Sequence, residues 1–139
     1  MRIECFLDTN VVIYAAAGKK HDPEKHAVAK GLVTTTGFCL SGQVLAEFYV
    51  NVTTKKHIRM PPAEINEWLE LLVRFPVAAI DAALVERGIF FSRRYQIHYF
   101  DAALIAAAER LEAPILYTED LNHGQNYGPV RVLNPFRPV

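Results

Sequence analysis

The chain has 139 residues, of which 51% are hydrophobic, and it carries two cysteines and fifteen acidic against fifteen basic side chains. This length and hydrophobicity predict one domain over residues 1–139, with a core that needs neither disulfides nor a structural metal. A net charge of zero argues against a protein that holds a polyanion along a broad basic face, so any contact with nucleic acid must be local.

Apolar segments alternate with amphipathic segments along the chain. The short apolar segments predict strands at residues 3–7, 38–40, 77–80, 115–117 and 130–133. Helical periodicity predicts helices at residues 10–17, 23–34, 41–54, 62–74, 81–93 and 101–111. Residues suited to first helical turns or N-caps begin most of these helices, namely Pro23, Pro61, Pro62, Ser41, Asp81 and Asp101. Strands and helices in this order predict an α/β fold with a parallel central sheet that helices flank on both faces.

The N-terminal segment and the cysteines indicate the cellular compartment. Residues 3–7 follow no basic leader or signal-length apolar stretch, and no later run approaches the ~20 apolar residues of a membrane span. Cys5 and Cys39 lie far apart in apolar segments, which favours two buried thiols over a disulfide or a zinc site. We therefore expect a cytoplasmic protein without membrane association.

Asp8 is the first candidate functional residue, because it directly follows the first predicted strand. Open α/β sheets bind ligands at the carboxyl ends of their strands, and the sequence puts Asp8 there. A second interpretation is that Asp8 or Thr9 only caps the helix that begins near Asn10, since both residue types are common N-caps. The sequence at this position is consistent with both interpretations.

Glu47 lies in the helix after the second predicted strand, so this helix opens at the same edge of the sheet as Asp8. Helical spacing puts Glu47 at the border of an apolar stripe that contains Val44, Phe48 and Val52, which predicts a half-buried carboxylate. The alternative is an ordinary surface glutamate at the edge of that stripe.

Two further acids have close competitors in the local sequence. Residues 81–84 and 101–104 are both Asp-Ala-Ala-Leu, so Asp81 meets every local criterion that Asp101 meets at the start of its alanine-rich helix. Asp120 lies in the polar loop after the fourth predicted strand, beside the equally acidic Glu119. Local sequence alone does not distinguish Asp101 from Asp81 or Asp120 from Glu119.

Four carboxylates gathered at one edge of a sheet would need protons or a cation. Two ionised carboxylates a few Å apart repel each other by roughly 1 to 4 kcal/mol at effective dielectric constants of about 80 to 20. A hard divalent ion such as Mg²⁺ suits a set of oxygen ligands. The five histidines have no spacing typical of a zinc site, which makes zinc the weaker assignment.

These four acids lie in four separated motifs. The motifs are Phe-Leu-Asp-Thr-Asn at residues 6–10, Ser-Gly-Gln-Val-Leu-Ala-Glu at 41–47, Tyr-Phe-Asp-Ala-Ala-Leu-Ile-Ala-Ala-Ala at 99–108 and Leu-Tyr-Thr-Glu-Asp-Leu at 116–121. In order and in coverage of the chain they resemble the motifs of the PIN domain, and within it those of the VapC-type toxin ribonucleases of toxin–antitoxin pairs. The resemblance selects Asp101 over Asp81 and Asp120 over Glu119.

The resemblance implies a three-layer α/β/α fold and a Mg²⁺- or Mn²⁺-dependent endoribonuclease that cleaves single-stranded or looped RNA. It also implies a homodimer that a small antitoxin protein silences. It implies four catalytic acids, of which the first three hold the metal: Asp8, Asp101, Asp120 and Glu47. It further implies three neighbours that hold the carboxylates by hydrogen bonds: Thr9, Asn10 and Thr118. Asn10 is equally suited to a plain first helical turn.

Other classes of protein share part of this pattern. A phosphatase of the haloacid dehalogenase type needs a second acid two residues after Asp8, where this chain has Asn10, and a response-regulator receiver needs an acidic pair near its first strand. A PIN-fold module that binds nucleic acid or a partner without catalysis is the alternative from a different class. Basic residues suited to RNA phosphates fall in three clusters, which are Lys19 with Lys20, Lys55 with Lys56, and Arg93 with Arg94.

Overall fold

The computed structural model describes residues 2–137, in which six strands form one sheet. In chain order the strands are β1 (Cys5–Leu7), β2 (Phe38–Ser41), β3 (Val77–Ala78), β4 (Ile115–Tyr117), β5 (Asn126–Tyr127) and β6 (Val130–Leu133). The helices are α1 (Thr9–Ala17), α2 (Pro23–Thr35), α3 (Gly42–Thr54), α4 (Pro62–Leu72), α5 (Ala82–Tyr95) and α6 (Tyr99–Arg110), with a 3₁₀ helix at Lys56–Ile58.

The order of strands across the sheet is β3-β2-β1-β4-β6-β5, and all neighbours are parallel except β5 and β6. β1 lies inside the sheet, with its Phe6 paired to Cys39 of β2 and to Leu116 of β4. The chain extends the sheet to one side of β1 with β2 and β3, then to the other side with β4. The carboxyl ends of β1 and β4 therefore flank the point where the strand order reverses, at which open α/β sheets leave a crevice for ligands.

Helices cover both faces of the sheet and give a three-layer α/β/α architecture. Every residue of β1 and β2 is buried, which explains why these segments are continuously apolar rather than alternating. α1 packs against α2 and α3, whereas α6 lies over β2, β4 and β6 and packs against α5.

The middle of α6 is buried along its whole circumference. Residues 102–108 are all buried, because their mostly alanine side chains let the sheet and α5 approach the helix backbone closely. Gly88 of α5 provides the matching surface, since a Cβ atom there would lie 3.0 Å from Tyr99 Cε1 and 3.3 Å from Ala103 Cα. This packing fixes the first turn of α6, which carries Asp101.

The predicted α/β class and parallel sheet are confirmed, while several element ends differ from the prediction. β1 begins at Cys5 rather than at residue 3, because its pairing with β2 begins there. β3 is reduced to Val77–Ala78, and α4 ends at Leu72. The strand β5 was not predicted, because it has only two residues and its turn depends on Gly128 at a φ of +59°.

Two of the predicted N-caps are confirmed. The side chain of Ser41 accepts a hydrogen bond from the N–H of Val44 at 3.3 Å, and that of Asp81 accepts one from the N–H of Leu84 at 2.8 Å. Both side chains therefore satisfy a backbone donor at the start of a helix.

The predicted N-cap at Asp101 is wrong. α6 begins two residues earlier at Tyr99, and His98 Nδ1 accepts the capping hydrogen bond from the N–H of Phe100. The physical reason is that Tyr99 packs against Gly88, which extends the helix upstream of the Asp-Ala-Ala-Leu segment. Asp101 is instead the third residue of the helix.

The cysteines are two buried free thiols, as predicted. Burial raises the pKa of the Cys39 thiol to about 12, and a thiol that stays protonated at neutral pH is a poor nucleophile. No helix within residues 2–137 is long and apolar enough to cross a membrane.

Candidate active site

A single cleft of about 230 Å³ is lined by four carboxylates: Asp8, Glu47, Asp101 and Asp120. They come from the end of β1, from α3, from the first turn of α6 and from the loop after β4. The structure therefore brings together the four acids that the sequence predicted as a group. The remaining lining residues are Thr9, Asn10, Ile13, Gln43, Asn51, Lys55, Phe100 and Leu104.

Asp8 is the most buried of these acids, with 4% of its surface exposed. Its carboxylate accepts hydrogen bonds from the N–H of Thr9 at 2.6 Å, from the Thr118 hydroxyl at 2.7 Å and from Asn10 Nδ2 at 3.2 Å. Its own N–H donates to the carbonyl of Tyr117 at 3.1 Å, which joins the ends of β1 and β4. The bond from Thr9 confirms that Asp8 caps α1, and this role is compatible with its position in the cleft.

Asn10 and Thr118 connect Asp8 to Asp120. Asn10 Nδ2 donates to Asp8 Oδ2 and also to Asp120 Oδ2 at 3.1 Å. The Thr118 hydroxyl accepts a hydrogen bond from the N–H of Asp120 at 3.1 Å. Asn10 Oδ1 is buried without a hydrogen-bond partner among residues 2–137, which leaves an unused acceptor beside the carboxylates. Asn10 therefore donates to both carboxylates, whereas Thr118 donates to the carboxylate of Asp8 and accepts from the backbone of Asp120.

Glu47 reaches the cleft from α3. Its Oε1 accepts hydrogen bonds from the Thr9 hydroxyl and from Gln43 Nε2, both at 3.2 Å. Gln43 Nε2 also donates to the carbonyl of Phe100 at 3.2 Å and so connects α3 with the first turn of α6. The predicted half-burial of Glu47 is wrong, because the apolar stripe of α3 packs inward while this side chain faces the open cleft and is exposed.

The electrostatics of the cleft favour a proton or a cation. Burial raises the pKa of the Asp8 carboxyl from 3.8 to about 7, against the hydrogen bonds from Thr118 and Thr9, and the charges of Asp120 and Glu47 raise it further. Burial, followed by the charge of Asp120, also raises the pKa of Asp101. Among residues 2–137 none of the four acids forms an ion pair, so no direct salt bridge offsets the repulsion between them, although the charge of His98 lowers the pKa of Asp101.

The two competing acids have other partners. Asp81 binds Arg110 through both carboxylate oxygens, at 2.9 and 3.1 Å, and lies outside the cleft lining. Glu119 accepts hydrogen bonds from Lys25 Nζ at 2.8 Å and from the Tyr14 hydroxyl at 3.1 Å, so it is held toward α1 and α2. The geometry therefore agrees with the choice of Asp101 and Asp120.

Two of the three basic clusters meet beside the cleft. Lys55 lines the cleft itself. The rings of His21 and His57 lie 4.8 Å apart, and this contact brings the segment 19–21 next to the segment 55–57. Arg93 and Arg94 line a different cavity, together with Phe90 of α5. We define the basic patch as Lys19, Lys20, His21, Lys55, Lys56 and His57.

The donor atoms of the cleft fit a hard divalent ion. The acidic ligands are all carboxylate oxygens, and none of the five histidines is among the described lining residues, which disfavours zinc. No three His, Cys, Asp or Glu side chains between residues 2 and 137 are arranged to hold one ion together. The cleft therefore fits an ion held by one or two carboxylates and water, as is common for Mg²⁺. Joint ligation by Asp8, Asp101 and Asp120 stays a prediction.

Fold and cleft together define an α/β protein with an acidic site at the reversal point of a mostly parallel sheet. Residues 5–128 match the family model of the PIN domain, and the chain belongs to the PIN domain family. PIN domains are generally nucleases. No curated protein sequence matches the chain at a significant level.

Solved structures with the same fold include components of toxin–antitoxin pairs. A toxin–antitoxin complex from Klebsiella pneumoniae is similar with a TM-score of 0.68 and 19% identity, over 95% of this chain and 98% of that chain. VapC20 of Mycobacterium tuberculosis, a toxin that cleaves the sarcin–ricin loop, has a TM-score of 0.63 and 19% identity, over 84% and 92%. VapBC2 of Rickettsia felis, bound to a DNA fragment from its promoter, has a TM-score of 0.62 and 19% identity, over 94% and 97%.

Five residues that line the cleft were not singled out from the sequence, namely Ile13, Gln43, Asn51, Phe100 and Leu104. Gln43 lies four residues before Glu47 on the same helix face, and this spacing could have indicated their hydrogen bond. The exposure of Phe100 depends on the start of α6 at Tyr99. The Asp-Ala-Ala-Leu segment suggested a later start at Asp101, so Phe100 was not expected to be in the helix.

Proposed function

We propose that this protein is a divalent-metal-dependent endoribonuclease that cleaves single-stranded or looped RNA, and that it is the toxin of a toxin–antitoxin pair. The observation that carries the proposal is the convergence of four carboxylates on one cleft in a PIN domain. Carboxylates that repel one another hold a cation, and a bound cation draws the phosphate of RNA to the same place.

Mg²⁺ or Mn²⁺ would be held through the oxygens of Asp8 and Asp101, with Asp120 close by or linked to the ion through water. When bound, such an ion polarises a phosphoryl oxygen and lowers the pKa of a coordinated water. The raised pKa of Asp8 supports this assignment, since a buried carboxyl that is only half ionised near pH 7 exchanges its proton for a cation.

The side chains around the acids have separate roles in the proposed reaction. Thr9, Asn10 and Thr118 orient the carboxylates through the hydrogen bonds described above. Glu47 orients the attacking water and accepts its proton, and its exposure to the cleft supports this role. Lys55 binds a phosphate group of the RNA.

The proposal includes a small antitoxin partner, a homodimer and a cytoplasmic location. The similarity in fold to proteins from toxin–antitoxin complexes supports an antitoxin partner. Co-purification with the product of a neighbouring reading frame tests the antitoxin, and light scattering tests the dimer.

Incubation of the pure protein with single-stranded RNA tests the nuclease. We expect cleavage with Mg²⁺ or Mn²⁺ and none in EDTA. The two identical tetrapeptides supply a matched pair of variants: Asp101→Asn should lower the cleavage rate by orders of magnitude, whereas Asp81→Asn should leave it unchanged. Binding of RNA without cleavage under both metals would instead assign the chain to the catalytically silent modules.

A further inference from the structure

Phe100 is an exposed aromatic residue on the wall of the acidic cleft. The residue is 56% exposed, although it lies next to Asp101 in the first turn of α6. Burying a phenylalanine on folding is favourable, so a ring left in water beside a functional cleft is available to a ligand.

The ring of Phe100 is held in place from several sides. It packs edge-on against Tyr99, with centroids 5.2 Å apart and planes at 71°, and its centroid lies 5.7 Å from that of His98. The carbonyl of Phe100 accepts the hydrogen bond from Gln43, which ties the backbone to α3. The ring is therefore presented to the cleft by a fixed first turn, which lowers the entropy lost on binding.

The surroundings of Phe100 in the cleft are polar. Gln43, Glu47 and Asp101 line the same cleft, and Lys55 carries a positive charge there. The central part of a protein–protein interface is depleted of charged residues, so a single ring among charges fits it poorly. The cleft instead combines one flat aromatic face with groups that suit phosphate and metal. This combination fits an RNA strand whose phosphate lies in the cleft and whose base stacks on the ring.

We propose that Phe100 is a stacking platform for an unpaired nucleobase next to the cleaved phosphate, and that it selects single-stranded RNA. This inference rests on the proposed nuclease function. Bases inside an A-form duplex are paired and stacked on one another, so only an unpaired base can turn its face to the ring. Base stacking on an aromatic side chain contributes about 5- to 150-fold in affinity and is tolerant of sequence.

The test compares Phe100→Ala and Phe100→Trp with Phe90→Ala, which removes a ring of similar exposure, 49%, outside the cleft. On single-stranded RNA, Phe100→Ala should raise KM by about 5- to 150-fold, and Phe100→Trp should restore it. Phe90→Ala should leave KM unchanged. Equal melting temperatures of the variants verify that the folds are intact.

A second measurement detects the stacking itself. RNA that carries 2-aminopurine at single positions, mixed rapidly with the protein in Mg²⁺ and recorded before cleavage, should lose fluorescence at one position with the wild-type protein and with Phe100→Trp. The loss should be absent with Phe100→Ala.

Three outcomes would contradict the proposals. If the wild type cleaves RNA and Phe100→Ala changes neither KM nor fluorescence, this inference alone is overturned. Absence of any metal-dependent cleavage by wild type overturns the proposed function as well. Loss of self-association or of antitoxin binding in Phe100→Ala, with unchanged KM, would assign the ring to a protein interface.

Discussion

The side chain of Asp8 is both the N-cap of α1 and the most buried acid of the cleft. A cap needs only one hydrogen bond to the first helical turn, and caps are commonly exposed to water. Asp8 instead accepts bonds from three residues and has a pKa that burial raises to about 7. A carboxyl held at such a pKa in a cleft is typical of a functional site.

The stability of the metal-free protein should fall as the pH rises from about 4 to about 7. The folded state releases the Asp8 proton with a pKa of about 7 and the unfolded state with the ordinary value of 3.8. The folded state therefore binds more protons than the unfolded state in this pH range. As a result, the free energy of unfolding decreases as the pH rises. The loss from Asp8 is on the order of 4 kcal/mol. Chemical denaturation in EDTA measures it, and Asp8→Asn should show a flatter pH dependence. Identical curves for the two proteins would contradict the raised pKa.

We predict that Glu119, held by Lys25 and Tyr14, affects the proposed site through the position of its neighbour Asp120. The pair with Lys25 is partly exposed, so Glu119→Gln should change the free energy of unfolding by less than about 1 kcal/mol. The same change frees the loop that carries Asp120, and RNA cleavage should fall by up to about 100-fold. Glu109→Gln, which breaks the similarly exposed pair with Arg87, is the control and should leave cleavage unchanged. Equal effects of the two variants on cleavage would argue against a positioning role for Glu119.

At the scale of the elements, the contact between α5 and α6 positions Asp101 and Phe100. Two glycines in helix interiors, Gly88 in α5 and Gly31 in α2, separate the effect of this contact from helix propensity. Gly31→Ala meets nothing within 4 Å and should stabilise the protein by up to about 1 kcal/mol. Gly88→Ala should not stabilise the protein in this way, because its Cβ would crowd Tyr99 and the backbone of Ala103. Denaturant titration compares them, and an equal gain in both variants would show that the contact is loose.

Within residues 2–137, periodicity was sufficient to predict the six α-helices and five of the six strands, because continuous apolar segments and amphipathic segments differ strongly in this chain. It was insufficient where tertiary contacts decide the ends of an element. Asp81 caps its helix as predicted, whereas the identical segment at Asp101 lies inside a helix that begins at Tyr99. The difference comes from the packing of Tyr99 on Gly88, which no local pattern contains.

At the scale of the whole molecule, a net charge of zero restricts any RNA-binding surface to a local patch. The basic patch beside the cleft meets this condition, and Lys55→Gln combined with Lys56→Gln should weaken RNA binding. The slope of log K against log salt should decrease by about 0.7 for each phosphate of single-stranded RNA that the double variant no longer neutralises. Lys30→Gln removes an exposed lysine of α2 as a control and should leave the slope unchanged. If the double variant and Lys30→Gln had the same slope, the basic patch would not be an RNA-binding surface.

The topology explains why four acids so far apart in sequence could be predicted as one group. Asp8 and Asp120 follow β1 and β4, the two strands that flank the reversal of strand order. The carboxyl ends of parallel strands share an edge, so the strand pattern could place acids from both segments there, whereas the choice of Asp120 over Glu119 and of Asp101 over Asp81 needed the resemblance to the PIN domain. The exposure of Glu47 and the bridge from Gln43 to Phe100 depend on the orientation of helices, which that pattern does not contain. The assignment of residues 1–139 to one domain stays a prediction.

Asp8→Asn tests whether the carboxylate of Asp8 belongs to a metal-dependent nuclease site. The variant keeps the shape and the capping ability of the side chain but removes one negative charge. A neutral amide is a poorer ligand for a hard cation, so both catalysis and metal binding should suffer.

The decisive measurement records RNA cleavage and the shift in melting temperature on addition of Mg²⁺, for wild type and Asp8→Asn side by side. We predict that the variant loses cleavage by orders of magnitude and gains less stability from Mg²⁺ than wild type, because a ligand stabilises only through its affinity for the folded state. In EDTA near neutral pH the variant should melt at an equal or higher temperature, since it lacks a buried charge. If Asp8 were only a cap, asparagine would replace it almost neutrally. Retained cleavage together with an unchanged Mg²⁺ shift would contradict a metal-site role for Asp8.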